Sequence, residues 1–307
     1  MAAVDRNDDD PTGPRRLDEA AAAAALRRIV RADEPPWLHG EVARRLGERL
    51  GPIRVEPRRI LDWWGLVGGG EAVLRAAYPR AEIVAVERDA AAAAIRATRR
   101  ARPWWSLSRA APQPLSASAA DAEIGRCQLL WANMVLQFVA DPPALFARWH
   151  RLLEVEGLVV FSCLGPASLR ELRDLYTAAR WPSPASEFVD MHDLGDMLVH
   201  AGFAEPVLDQ ETLTLRWKSA EALLAELRLI GGNAAPDRFA GLRTPAWRRR
   251  LLSALAERAA PDGSIGLSLE VAYGHGFKAA PRLRAGEPVA VALEDMRAMV
   301  RRPRPTS

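Results

Sequence analysis

Residues 59–87 read RILDWWGLVGGGEAVLRAAYPRAEIVAVE, and this stretch decides the fold. An apolar run that ends near Asp62 is followed by a glycine-rich turn to Gly70, a helical segment and a second apolar run that ends at Glu87. Glycine suits a turn beside a nucleotide because it has no Cβ and adopts positive φ. An acid about 20 residues after such a turn can accept hydrogen bonds from ribose hydroxyls. The stretch predicts a nucleotide-binding unit; a tight turn with a solvent-exposed glutamate is the other interpretation.

The same alternation of apolar runs and helical segments continues along the chain. Four runs are predicted as strands: Arg59–Trp64, Glu82–Glu87, Gln128–Ala132 and Gly157–Cys163. Three helices are predicted between them: Gly69–Tyr78, Asp89–Ala101 and Asp141–Leu153. Continuous apolar strands that alternate with helices are typical of parallel strands covered on both faces. We therefore predict an α/β fold with a doubly wound, mostly parallel sheet, whose ligands bind at the carboxyl ends of the strands.

The flanking regions complete the predicted domain, which spans residues 17–280. Residues 1–16 are predicted to be a disordered tail, residues 17–50 two helices (Leu17–Ala32 and Leu38–Leu50), and residues 281–307 a C-terminal tail. Beyond Cys163 the pattern predicts helices over Ala167–Ala179, Met191–Gly202, Ser219–Ile230 and Pro245–Ala259, and strands over Glu211–Trp217 and Leu267–Phe277. The core sheet then comprises residues 51–217 and 265–278, with residues 219–260 as a helical cap inserted before the last strand.

Composition excludes several classes of protein. The chain has 307 residues, 49% of them apolar, and a net charge of +3. No apolar stretch approaches the roughly 20 residues that cross a bilayer. The acidic start lacks the features of a secretory or transit peptide, and two cysteines within apolar runs do not indicate disulfides. We expect a cytoplasmic protein that binds neither membrane nor nucleic acid. The five histidines show no metal-ligand spacing.

One segment of the chain is rich in arginine, although the net charge of the whole chain is small. Between Arg75 and Arg109 there are eight arginines and three acids. The surplus is either a solvated helix face or a patch that attracts an acidic partner. Trp104-Trp105, within this segment, are interpreted as a core or interface anchor.

The fourth predicted strand ends in Trp131-Ala132-Asn133, followed by Leu136-Gln137-Phe138. Because a doubly wound fold places its chemistry at strand ends, Asn133 and Gln137 are candidate residues for lining a ligand site. Asn133 is equally suited to cap the following helix.

Eight segments together resemble class I methyltransferases, specifically the malonyl-acyl-carrier-protein O-methyltransferase family of biotin synthesis. They are Asp62–Gly70, Glu87, Asn133–Phe138, Phe161–Pro166, Met191–Asp196, His200–Phe203, Gly231–Ala234 and Glu270–Lys278. The resemblance covers roughly residues 38–280. A mitochondrial complex I assembly factor of the same fold shares several of the C-terminal motifs, so these motifs alone do not settle the substrate.

The resemblance implies transfer of a methyl group from S-adenosylmethionine to the free carboxylate of a malonyl group on acyl carrier protein. Since that carboxylate is ionised near pH 7, no general base is implied. Arg170 is the candidate residue for binding the substrate carboxylate. In the alternative interpretation, Arg170 lies at the surface and pairs with Glu171 or Asp174. The implied cofactor-binding residues are Asp62, Trp64, Gly65, Gly68, Glu87, Asp121, Asn133 and Gln137.

The glycine-rich loop departs from the family pattern Asp-x-Gly-x-Gly-x-Gly. In an alignment without gaps, Trp64 and Leu66 occupy the first two glycine positions of this pattern. An alignment shifted by one residue places Gly65 and Gly69 on glycine positions, but Val67 then occupies the glycine position between them. A tryptophan buries about 150–250 Å², so Trp64 either fills the cofactor pocket or lines it. Two hypotheses follow: an active methyltransferase, or a cofactor-free relative that acts as a binding or assembly protein. A methyltransferase with another substrate is the third.

Overall fold

The computed structural model describes residues 13–100 and 112–280. Within them, seven strands form one sheet in the order β3-β2-β1-β4-β5-β7-β6. The strands are β1 Arg59–Trp63, β2 Glu82–Glu87, β3 Leu115–Ser116, β4 Cys127–Asn133, β5 Leu153–Leu164, β6 Phe203–Trp217 and β7 Ile265–Lys278. Strands β1 to β5 run parallel, and β7 is antiparallel to both of its neighbours. The predicted doubly wound, mostly parallel fold is confirmed.

Helices cover both faces of this sheet. They are α1 Glu19–Arg31, α2 Trp37–Glu48, α3 Gly65–Gly68, α4 Glu71–Ala77, α5 Ala90–Arg100, α6 Pro142–Leu152, α7 Arg170–Ala178, α8 Met191–His200, α9 Ala220–Leu229 and α10 Pro245–Ala256. Short 3₁₀ segments occupy Ala117–Glu123 and Leu136–Phe138. Several starts are set by capping side chains that accept a backbone N–H, as Asp141 does from Ala144 at 2.9 Å.

The core consists of one apolar layer on each face of the sheet. Trp131 of β4 packs with α2 in one layer, and Trp63 of β1 packs with Trp149 of α6 in the other. The Trp63 and Trp149 rings meet edge to face, with centroids 6.1 Å apart. Because both faces are covered, β4 is buried along nearly its whole length, which explains its continuous apolar sequence.

Several predicted boundaries are wrong. Strand β6 begins at Phe203, eight residues before the predicted Glu211. As the edge strand it alternates half-buried and exposed residues, and its register shifts between Ala204 and Val207, around Pro206. Such a segment carries no continuous apolar signal. Strand β5 begins at Leu153 rather than Gly157, and both α3 and the two-residue β3 were missed. The predicted helical pair before the last strand is present as α9 and α10.

The predicted tails lie mostly outside the described residues, as do Trp104-Trp105. The predicted disorder of residues 1–16 is wrong for Arg15. Its amide donates to the Ala140 carbonyl at 2.7 Å, and its guanidinium donates to the carbonyls of Leu136 and Glu187. Among the helices of the described ranges, none has the length and apolar character needed to cross a bilayer.

Candidate active site

The loop after β1 folds back into the protein as the single-turn helix α3. Trp64 precedes it in the left-handed conformation, with φ of 55°, which is strained for a non-glycine residue. The Trp64 amide donates to the Val86 carbonyl at 2.6 Å. Leu66 is 6% exposed and Val67 1%, and both pack against the apolar face of α1. Of the two bulky residues at the family's glycine positions, Leu66 is therefore part of the packed interior, and Trp64 is half-buried and packs against the same cluster.

Glycines remain in this loop where the chain's own atoms leave no room for a Cβ. A Cβ on Gly65 would lie 2.1 Å from the Asp62 carboxylate, and one on Gly68 would lie 2.7 Å from the Asn133 carbonyl. At Gly70 it would lie 2.2 Å from Nε1 of Trp131. Gly69 has φ of +69° and faces Pro35. Contacts within the protein account for each of these four glycines.

The two predicted acids, Asp62 and Glu87, lie at the ends of neighbouring strands and are fully buried. Both contact the guanidinium of Arg96, from α5. Arg96 Nη2 lies 3.1 Å from Asp62 Oδ2, and Nη1 lies 3.5 Å from Glu87 Oε1. Glu87 also accepts the Leu66 amide, at 3.1 Å to Oε1 and 3.4 Å to Oε2. The alternative of a solvent-exposed Glu87 is wrong.

Sequence reasoning missed Arg96, which it counted only as one member of the Arg75–Arg109 surplus. A signal was present in helix α5. Ala92 and Ala93 form its buried face, and Arg96 follows them at the spacing that keeps it on that face. Helix α5 follows a strand-end acid, and its buried face carries small residues. An arginine on that face is predicted to point its guanidinium inward.

Asn133 ties three elements together and caps no helix. Its amide nitrogen donates to the carbonyls of His39 at 2.8 Å and Gly68 at 2.5 Å. Its carbonyl oxygen accepts the Ser162 hydroxyl at 2.7 Å. His39 Nδ1 bonds to the Val67 carbonyl at 2.7 Å. Val135 occupies the N-cap position of the 3₁₀ segment that follows, which has no side-chain cap, so the alternative role of Asn133 as a helix cap is wrong.

A cavity of about 200 Å³ lies beside the carboxyl ends of β4 and β5. Its walls are mainly apolar and include Leu164, Leu169, Leu172, Tyr176, Phe188, Leu224, Ile230 and Leu269. Gln137 contributes a polar group and is 5% exposed. Its amide nitrogen donates to the Met134 carbonyl at 3.0 Å, whereas Oε1 has no hydrogen-bond partner among the described residues.

The two remaining predicted site residues lie elsewhere. Arg170 begins α7 and is exposed, because the helix turns Leu169 and Leu172 toward the cavity. It lies beside Glu171, whose carboxylate accepts the Ser268 amide at 3.0 Å and the Ser268 hydroxyl at 2.6 Å. Burial raises the pKa of Glu171, but these hydrogen bonds and, less strongly, the charge of Arg170 lower it overall. Arg170 forms no ion pair with Glu171 or Asp174 among the described contacts, so that pairing stays a prediction. Asp121 is exposed and pairs with Arg148, at 3.0 Å.

Nucleophilic and metal chemistry find little support in the described residues. Burial raises the pKa of the Cys127 and Cys163 thiols to about 12, so both are protonated near neutral pH. No group of three or more histidine, cysteine, aspartate or glutamate residues within residues 13–100 and 112–280 is arranged to hold a metal ion.

Comparison with known proteins agrees with this geometry. The profile of the family described as "Methyltransferase domain" matches residues 37–205. The malonyl-acyl-carrier-protein O-methyltransferase of Gallionella capsiferriformans is 36% identical over 273 residues, covering 87% of this chain and 93% of the relative. That of Laribacter hongkongensis is 37% identical over 276 residues, covering 87% and 92%.

A solved structure supports the fold alone. A Bacillus halodurans protein described as a methyltransferase superposes with a TM-score of 0.50 at 11% identity, covering 78% of this chain and 100% of that one. The sequence relatives extend over nearly the whole domain, including the helical pair before the last strand. This chain is a member of the malonyl-acyl-carrier-protein O-methyltransferase family.

Proposed function

We propose that the protein methylates the free carboxylate of a malonyl group carried by acyl carrier protein, with S-adenosylmethionine as the methyl donor. The observation that carries this proposal is the mainly apolar cavity beside the ends of β4 and β5. Its volume of about 200 Å³ suits a short acyl group. Family membership supplies the reaction and the carrier.

The chemistry requires little of the protein beyond binding and alignment. A malonyl carboxylate has lost its proton near pH 7, so it attacks without a general base. The bound cofactor supplies an electrophilic methyl group. The cavity excludes water from the reacting groups, and that exclusion together with orientation is the main contribution we assign to this chain. Loss of the negative charge then leaves an apolar ester.

Growth rescue of a biotin-requiring bacterial strain that lacks this methyltransferase tests cofactor, acceptor and carrier together. The direct assay incubates the purified protein with S-adenosylmethionine and malonyl-acyl carrier protein, and detects the methyl ester by mass spectrometry. Failure of both with well-folded protein would show the proposal to be wrong.

A matched pair of variants connects the result to the cavity. Leu172 lies in its wall and is 4% exposed, whereas Leu242 is 97% exposed. Leu172→Trp should abolish ester formation by filling the cavity, and Leu242→Trp should leave it intact. Equal activity of the two variants would place the acceptor elsewhere.

One observation favours a second candidate, a cofactor-free binding protein. The strand-end acids that a nucleoside cofactor would use are engaged within the chain, by Arg96 and the Leu66 amide. Titration of the natural protein with S-adenosylhomocysteine separates the two candidates, because only the methyltransferase binds it.

A further inference from the structure

The guanidinium of Arg96 occupies the position between the strand-end acids. Arg96 is 5% exposed. It contacts Asp62 at 3.1 Å, Glu87 at 3.5 Å and Glu71 at 2.7 Å. Asp62 is the last residue but one of β1, Glu87 ends β2 and Glu71 begins α4. One arginine therefore joins the two central strands and the helix that follows the glycine-rich loop.

These contacts hold the guanidinium firmly in its charged form. Burial lowers the pKa of Arg96, but the carboxylates of Asp62, Glu87 and Glu71 more than offset this, so that its pKa is raised overall. The planar fork of arginine lets separate nitrogens bond to separate carboxylates. A lysine ammonium is a compact charge and cannot span the same three groups.

The loop backbone reinforces this closed arrangement. The Leu66 amide donates toward both oxygens of Glu87, and the absence of a Cβ at Gly65 makes room for the Asp62 carboxylate and Arg96. Helix α1 covers Leu66 and Val67 from outside. In this conformation the carboxylate suited to ribose hydroxyls already has donors from the chain itself.

The three ion pairs of Arg96 differ in length and in the exposure of the partner acid, which suggests which of them breaks first. The contact with Glu87 is the longest, at 3.5 Å, and the contact with Glu71 is the shortest, at 2.7 Å. Glu71 is also the most accessible of the three, with 27% of its side chain exposed. Arg96 can therefore leave Glu87 while it keeps Glu71 as a partner, so the guanidinium need not be stripped of all its partners.

We propose that Arg96 sets the affinity of this chain for S-adenosylmethionine by competing with the ribose hydroxyls for Glu87, so that the cofactor binds only after the guanidinium moves toward Glu71. The proposal rests on the proposed function for the identity of the ligand. If the closed arrangement holds about nine-tenths of the molecules, the apparent affinity falls about tenfold. Arg96 is thus a residue that determines cofactor affinity without itself binding the cofactor.

Isothermal titration with S-adenosylhomocysteine tests the proposal on the natural protein, Arg96→Lys and Arg96→Gln. Both variants should bind about tenfold more tightly. Arg44→Gln is the control, since Arg44 forms an exposed ion pair with Glu41, at 2.8 Å, and touches neither the strand-end acids nor Glu71 in the described contacts. It should stay within about twofold of the natural protein. Near-UV circular dichroism checks folding, and Arg96→Lys retains a positive charge should Arg96→Gln fail to fold.

A second measurement separates competition for Glu87 from a general loosening of the fold. Ligand-observed NMR titrations compare adenosine with 2′,3′-dideoxyadenosine, which lacks both ribose hydroxyls. Arg96→Lys should increase the affinity for adenosine and leave the affinity for the dideoxy compound unchanged. An equal gain with both compounds would overturn the proposal.

The outcomes distinguish this inference from the proposed function. If the natural protein binds and both Arg96 variants bind no more tightly, the inference is wrong and the methyltransferase proposal stands. If only the variants bind, Arg96 blocks the site as inferred, and the natural protein is the cofactor-free relative. If neither the natural protein nor any variant binds, both are wrong.

Discussion

Acidification should destabilise this protein through His39, a histidine that lies completely inside it. Burial, only partly offset by the hydrogen bond to the backbone carbonyl of Val67, lowers the pKa of His39 from 6.5 to about 4. The imidazole is therefore neutral near pH 7 and bonds to the Val67 carbonyl in helix α3 at 2.7 Å. In the unfolded chain the same group takes up a proton near its ordinary pKa. Between these two pKa values, the unfolded state binds more protons than the folded state.

The sign and size of the effect follow from this difference. The contribution of neutral His39 to the free energy of unfolding is fully present above pH 6.5 and decreases as the pH falls toward 4. Below pH 4 this contribution changes no further. One pKa unit corresponds to about 1.4 kcal/mol. His39 should therefore cost about 2 kcal/mol of unfolding free energy between pH 7 and pH 5, and about 3 kcal/mol below pH 4.

Urea denaturation of the natural protein and of His39→Gln at pH 7 and pH 5 measures this contribution. The glutamine amide retains a donor for the Val67 carbonyl but does not titrate, so the variant should lose about 2 kcal/mol less than the natural protein between the two pH values. Burial also lowers the pKa values of His150 and His275, and both remain in the variant, so the difference isolates His39. His200→Gln, which replaces an exposed histidine on α8, should follow the natural protein. Equal pH sensitivity of the natural protein and His39→Gln would refute a buried, neutral His39.

Three further perturbations test the surroundings of the loop. Asn133→Leu removes the donor to the carbonyls of His39 and Gly68 and the acceptor of the Ser162 hydroxyl, and should cost about 3 kcal/mol or more in urea denaturation. A loss below about 1 kcal/mol would contradict the network. Gly65→Ala forces a Cβ against Asp62 and should lower the melting temperature, whereas Gly40→Ala in α2 meets no atom within 4 Å and should raise stability by up to about 1 kcal/mol. Arg15→Ala removes the bonds to Leu136 and Glu187 and should increase amide exchange over residues 184–188, which unchanged exchange would contradict.

The sheet could be predicted from the sequence because strands that are buried on both faces have continuous apolar sequences. Strand β4 is buried from Cys127 to Asn133, and its sequence shows that burial directly. The edge strand β6 has one half-exposed face, so only its last part has a recognisable pattern. The strand-end positions of Asp62 and Glu87 follow from the same alternation of strand and helix.

Side-chain partners were harder to predict because they join residues far apart in the chain. Arg96 meets Asp62 across 34 residues, and Asn133 meets His39 across 94. No local pattern reports such a pairing. Arg170 is a different case. Leu172 and Tyr176 share the face of α7 that lines the cavity, so helical periodicity alone places Arg170 on another side.

The glycine-rich loop changes meaning once its contacts are known. Gly65, Gly68 and Gly70 are each required by atoms of the chain, so their presence does not by itself indicate a nucleotide. Trp64 and Leu66 are tolerated because the loop turns inward as α3 and lies under α1. Replacing both with glycine would leave the ion pair of Arg96 with Glu87 in place. If Arg96 controls access to Glu87, such a double variant gains less affinity for S-adenosylhomocysteine than Arg96→Lys, although the loop residues depart far more visibly from the family pattern.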